Sequence, residues 1–247
     1  MTDTIERKPL VIAQGGASAE APEHTIVAFE TAIDERADAL GLQVRQTRDT
    51  HLVVFGPATL EQTTNGRGPL SAHTVRELKR LDAGSGKEPR FEGQRIQTLH
   101  EVLERFRDRT RFWIELPDET NDESGIEERV VSTIEIYDAV EICQVQAAKP
   151  EALERVRALN PGIRLTVTWR CGALTPLLGA ADSVYVDARA VGGAEVETIR
   201  SAGLGCYVGK ADEPALVDRL VGWRVDGIVT GRPGLVRARI DRSERFA

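Results

Sequence analysis

Short apolar runs rich in Val, Ile and Leu alternate with amphipathic stretches along the whole chain, and this alternation limits the possible folds more than any other feature. The runs cover 9–13, 39–44, 52–55, 111–116, 141–146, 164–169, 183–186, 205–208 and 227–230. Such runs suit strands buried on both faces. Between them, residues 25–36 space Ile26, Val27, Phe29, Ala32 and Ile33 along one helical face, and 151–159 do the same with Leu153, Val156 and Leu159. Residues 194–202 and 213–221 follow this pattern, and Pro150 and Pro214 stand where a first helical turn accepts proline. Repeated strand–helix units over 247 residues imply a (β/α)8 barrel or an open doubly wound sheet. The nine strand candidates exceed the eight barrel slots by one. Asp49-Thr50 leaves room only for a hairpin-like connection between two of them. Gly15-Gly16 after the first run reads as a tight turn, not as a dinucleotide fingerprint.

A net charge of −7 argues against nucleic acid as the partner, since a phosphate-tracking surface needs a basic excess. Cys143, Cys171 and Cys206 are an odd set at predicted strands or strand ends, which speaks against a disulfide framework. The first ten residues lack an apolar leader core, and no apolar run reaches the ~18–20 residues of a membrane span. The expectation is a cytoplasmic protein with no membrane span.

Residues 56–98 break the rhythm. They are rich in Gly, Pro, Thr, Ser and charge, with one helical piece at 71–81, and read as an insertion over a barrel mouth between strands 3 and 4. Around this point the chain carries Gln14-Gly15-Gly16-Ala17, Ala21-Pro22-Glu23-His24-Thr25, Gly41-Leu42-Gln43, Phe55-Gly56-Pro57 and Thr63-Thr64-Asn65-Gly66. In order, these resemble the HRGA turn, APENT helix start, ExD strand, FHD strand end and TTNG turn of the glycerophosphodiester phosphodiesterase family. The resemblance implies a single TIM (β/α)8 barrel domain over 1–247 in place of the open sheet. It also implies a phosphoric diester hydrolase of lipid and glycerol metabolism, which releases glycerol 3-phosphate and an alcohol with a divalent metal such as Mg or Ca.

Chemistry in such a barrel sits at the C-terminal strand ends. By the resemblance, two histidines there act as acid and base, and three acids hold the metal. At the histidine positions this chain has Gln14 and Gly56, and at two of the acids Gly41 and Gln43. Glu115, in Phe112-Trp113-Ile114-Glu115-Leu116-Pro117, is the only retained ligand. Neither Gln nor Gly shuttles a proton near neutral pH, and a hard cation wants several charged or carbonyl oxygens. The expectation is therefore no catalytic residue of the family type, no metal or other cofactor, and a silent or altered homologue. Gln14, Gln43, Glu115, Arg170 and Lys210 then read as binding residues for a small anionic or phosphorylated molecule, with a protein partner as an alternative. Two further readings are a retained diester hydrolase and a metal-independent enzyme using Glu115 and Lys210.

Lys210 is expected to be the charge partner of Glu115, with Arg170 as a substitute. The run Gly227–Gly234 has the look of a phosphate loop offering main-chain N–H groups. Of the histidines, His24 reads first as a cap-region residue and is the one candidate for a relocated acid; His51, His73 and His100 read as surface or satisfied side chains.

Overall fold

The computed structural model describes residues 8–118, 125–170 and 179–244. Eight parallel strands close into a barrel: β1 (Leu10–Gln14), β2 (Ala39–Gln46), β5 (Arg111–Glu115), β6 (Cys143–Ala147), β7 (Arg164–Trp169), β8 (Ser183–Asp187), β9 (Gly205–Gly209) and β10 (Gly227–Thr230). The ring shuts where β1 pairs with β10 on one side and β2 on the other, for example Ile12 with Val229 and with Ala39. Closure decides for the barrel and against the open sheet, and it removes all free edges from these eight strands.

The ninth run is not a barrel strand. β3 (Leu52–Val54) runs antiparallel to β2, and β4 (Gln97–Thr98) antiparallel to β3, so both hang on the outside of the ring. The reason lies in the connection. Thr47 N–H bonds the His51 carbonyl at 2.9 Å, and Thr50 takes φ +64°. A turn this short can join only antiparallel strands, because a parallel partner needs a crossover of a dozen residues or more. The insertion thus lies between β3 and β4 in chain order, and between the second and third staves of the barrel.

Helices α1 (Ile26–Asp34), α3 (Leu99–Phe106), α4 (Ile126–Ile136), α5 (Pro150–Leu159), α6 (Gly193–Ser201), α7 (Pro214–Gly222) and α8 (Pro233–Glu244) surround the ring. Thr25 caps α1, and Thr98 with Glu101 forms a reciprocal capping box on α3. Pro150 and Pro214 open α5 and α7 at the first turn. Inside the insertion, the piece read as a helix over 71–81 is shorter: a 3₁₀ turn at Leu70–Ala72 and then α2 (Val75–Leu78), capped by Thr74 and Glu77.

Three apolar clusters hold the structure. The largest lies between strands and helices and includes Phe29, Leu42, Phe106, Ile114 and Val208. A second fills the barrel with Ile12, Ala39, Trp113 and Val229, where the Trp113 and Tyr207 rings stand 4.6 Å apart. A third, around Phe55, Leu60, Leu70 and Leu78, lies under the insertion and fixes it to the barrel. Among the described residues no helix is long and apolar enough to cross a membrane.

Candidate functional site at the barrel mouth

Alternation along the strands sends Gln14, Gly41, Gln43 and Glu115 to the barrel interior at its C-terminal end. β1 and β2 align Gln14 with Gly41, and β2 and β5 align Gln43 with Glu115. The side chains meet. Gln14 Nε2 donates to Glu115 Oε2 at 3.1 Å. Burial raises the Glu115 carboxyl above the ordinary carboxylate value, against the opposing pull of the Gln14 and Gln43 amides and the Arg45 charge. The Tyr185 phenol is also pushed up, by its burial and then by the Glu115 charge, and its ring packs on the cluster inside the barrel.

Two glycines explain how the glutamines fit. A Cβ at Gly41 would stand 2.5 Å from Gln14 Oε1, and one at Gly56 would stand 2.5 Å from Gln43 Oε1. The amides therefore occupy the volume that side chains at 41 and 56 would need. These positions pack as a set, which individual positions in the sequence do not reveal.

His24 departs from the cap reading. The cap is Thr25, whose hydroxyl accepts from the Ala28 N–H. His24 takes φ +60° and is only 3 % exposed, with Nε2 at 3.4 Å from Gln43 Oε1. A carbonyl oxygen accepts, so Nε2 carries the proton and Nδ1 is left with a lone pair. That Nδ1 is buried and has no partner. Burial holds the imidazole below its ordinary value, and the Lys210 charge adds to this against Glu23 and Gln43. His24, Gln43, Glu115 and Gln14 thus form one side-chain chain across the mouth. His51, His73 and His100 lie elsewhere: His51 contacts the Asp49 carbonyl, His73 the Arg67 carbonyl, and His100 the Tyr137 ring.

The other expected groups separate. No ion pair joins Lys210 to Glu115 among the described residues, and Glu115 feels Arg45 instead. The physical reason is barrel order, since Lys210 follows β9, four staves from β5. Arg170 pairs with Asp118 and is largely exposed. In the Gly227–Gly234 run, the N–H of Gly231 bonds Asp212 Oδ1, that of Arg232 bonds Thr230 Oγ1, and that of Gly234 bonds Glu35 Oε2. These amides are already satisfied, so the run is not an open phosphate loop. Cys143 and Cys206 are buried, with thiols pushed up to about 12, and Cys171 lies outside the described residues.

The donor set does not fit a hard divalent cation. Such an ion takes six or more oxygens, several of them charged. Here the metal register offers one carboxylate with an amide N–H directed at it, a glycine and a neutral amide. Among the described residues no group of three His, Cys, Asp or Glu could hold a metal.

A cavity of about 540 Å³ opens elsewhere, between α3, α4 and the turn before β3, lined by His51, His100, Glu128 and Arg129 among others. None of the mouth residues reaches it, and none of the buried unpartnered polar atoms lines it. The mouth is the better candidate.

The raised Glu115 value carries a testable sign. A group whose folded value is raised adds stability below its unfolded value, and that stability is lost as pH rises through the folded value. Glu115→Gln removes this titration. The variant is expected to gain on the wild type as pH rises from the ordinary carboxylate value of 4.5 upward. Thermal midpoints of both proteins from that pH upward check it; a constant difference would contradict the assignment.

With this geometry in hand, comparisons with known proteins converge. The model of the glycerophosphoryl diester phosphodiesterase family matches residues 16–235. A glycerophosphodiester phosphodiesterase of Caldanaerobacter subterraneus subsp. tengcongensis is 33% identical over 231 residues, 92% of this chain and 95% of that protein. One from Bacillus subtilis is 30% identical over 250 residues, covering 92% and 84%. Among solved structures, a glycerophosphodiester phosphodiesterase from Agrobacterium tumefaciens aligns at TM-score 0.79 and 26% identity over 93% of this chain and 99% of that one. An Oleispira antarctica phosphodiesterase, solved with the product sn-glycerol-3-phosphate, aligns at TM-score 0.85 and 24% identity over 95% and 97%, a likeness of fold. The chain belongs to the glycerophosphoryl diester phosphodiesterase family.

Proposed function

We propose that this member does not carry out metal-assisted diester hydrolysis and that its single barrel domain instead binds a small anionic molecule at the mouth. The observation that carries the reading is the Gln14 amide N–H directed at the Glu115 carboxylate, which occupies the one acid left in the metal register. A metal lowers the barrier by charge stabilisation and by activating a nucleophile, and the paired histidines would move the protons. Gln14 and Gly56 can do neither. Loss of an acid–base pair, each member worth roughly 10²–10⁴-fold, removes most of the rate. His24 is buried, burial holds its imidazole below the ordinary value, and its Nδ1 has no protein partner. The mouth therefore suits a hydroxylated anion of the kind that the relatives' names imply, glycerol 3-phosphate included.

The second reading is retained hydrolysis, favoured by relatives of 33% and 30% identity that are named as phosphodiesterases. An assay separates the two. Glycerophosphocholine and glycerophosphoethanolamine are incubated with the protein and Mg²⁺, Ca²⁺ or Mn²⁺, and glycerol 3-phosphate is measured. The expected result is no release above the protein-free control. Metal-dependent release that Glu115→Ala abolishes would contradict the proposal.

A further inference from the structure

We propose that the corner between the first and last barrel strands is an anion subsite for a phosphomonoester group, built from Ser18, Lys87 and Lys210. It deepens the ligand-binding reading above and rests on that reading. It also lies apart from the Gln43–Glu115 register, on β1, β9 and β10 rather than β2 and β5.

Gly231 marks the place. A Cβ there would stand 2.7 Å from Ser18 Oγ, 3.3 Å from Lys210 Cε and 3.4 Å from the Ala19 nitrogen. The hydroxyl and the end of the lysine stem thus converge on Gly231, where only glycine lets them pack this closely. Ser18 Oγ is buried there without a hydrogen-bond partner. A buried hydroxyl with nothing to bond is unfavourable, and a ligand oxygen would satisfy it. Lys87 reaches across from the insertion, and its Nζ donates to the Ser18 carbonyl at 2.8 Å. That uses one of three ammonium donors and leaves two. Lys210 is exposed and makes no ion pair among the described residues. Asp212 is the nearby counter-charge, but Oδ1 is engaged by Thr230 Oγ1 at 2.7 Å and by the Gly231 N–H at 2.8 Å.

The donor set selects the ligand chemistry. Two ammonium groups are compact point charges with rotatable donors, which suit the tetrahedral oxygens of a phosphate dianion. A monocarboxylate carries one charge and leaves the second ammonium without a partner. Lys210 is exposed, and rotation about its staggered bonds moves the stem off Gly231 and uncovers the Ser18 hydroxyl for a ligand oxygen.

The test titrates inorganic phosphate by calorimetry, at ionic strength held with chloride, into the wild type and the variants K210M, K87M and S18A. K79M, which removes a lysine paired with Glu101, controls for net charge. Thermal midpoints confirm that each variant is folded. K210M and K87M are each expected to weaken phosphate binding about tenfold or more, and S18A several-fold. Acetate should bind less tightly than phosphate, and K79M should match the wild type. Glycerol 3-phosphate and phosphatidylcholine vesicles carrying phosphatidic acid then identify the source of the group. Lysine-dependent binding of either supports the subsite. Absence of phosphate binding, binding by K210M and K87M as tight as by the wild type, or a preference for acetate would overturn it. Metal-dependent hydrolysis together with lysine-dependent phosphate binding would refute the non-hydrolytic reading and leave the subsite standing; no hydrolysis and no phosphate binding would do the reverse.

Discussion

Gly16→Ala is expected to destabilise the fold by about 3–5 kcal/mol, a large share of a typical domain's stability. Gly16 lies in the turn that follows β1, two residues after Gln14, and it takes φ +84°. A side chain in that region costs about 1–3 kcal/mol from backbone strain alone. Alanine also meets an immovable wall, since its Cβ would stand 2.6 Å from both the backbone carbon and the oxygen of Ala28. The Ala28 carbonyl cannot retreat, because it accepts from the Ala17 N–H at 2.9 Å inside α1. Overpacking of this kind adds about 1–3 kcal/mol. Gly86→Ala is the control, as nothing lies within 4 Å of its Cβ and its φ is not in the left-handed region. It should stay within about 0.5 kcal/mol of the wild type. Chemical denaturation of both variants checks the pair. Equal, small losses would mean that the turn accepts a side chain at residue 16.

The strands were largely legible in the sequence because a β run needs only local composition. Residues 164–169 and 227–230 match β7 and β10 residue for residue. The extra run at 52–55 was legible as a strand but not as an outsider, because whether a strand joins the ring depends on its partner. The short turn at Thr47–His51 was the one clue. Gln14, Gln43 and Glu115 could be placed at one end because each closes a run whose direction the barrel dictates.

What the sequence hid were relations between distant positions. The fit of Gln14 beside Gly41 joins residues 27 apart and that of Gln43 beside Gly56 joins residues 13 apart, and only the packed barrel brings them into contact. His24 read as a cap because it stands at a helix start; its left-handed backbone, which turns it toward Gln43, has no local signature. The expected Glu115–Lys210 pair failed because charge complementarity was matched without the ring order that separates β5 from β9. Ser18 gave no signal at all, since an unpartnered hydroxyl is a property of surroundings rather than of residue type.

The central proposal is that the mouth does not hold a divalent cation. Mn²⁺ binding tests it without reference to any substrate. A mouth site would need oxygens that Gly41 does not supply, and would have to displace the Gln14 N–H from Glu115. The free-Mn²⁺ electron paramagnetic resonance signal should therefore rise in proportion to added metal through one equivalent of protein, in the wild type and in Glu115→Gln alike. A saturable site of one Mn²⁺ per chain in the wild type, lost in Glu115→Gln, would contradict the account.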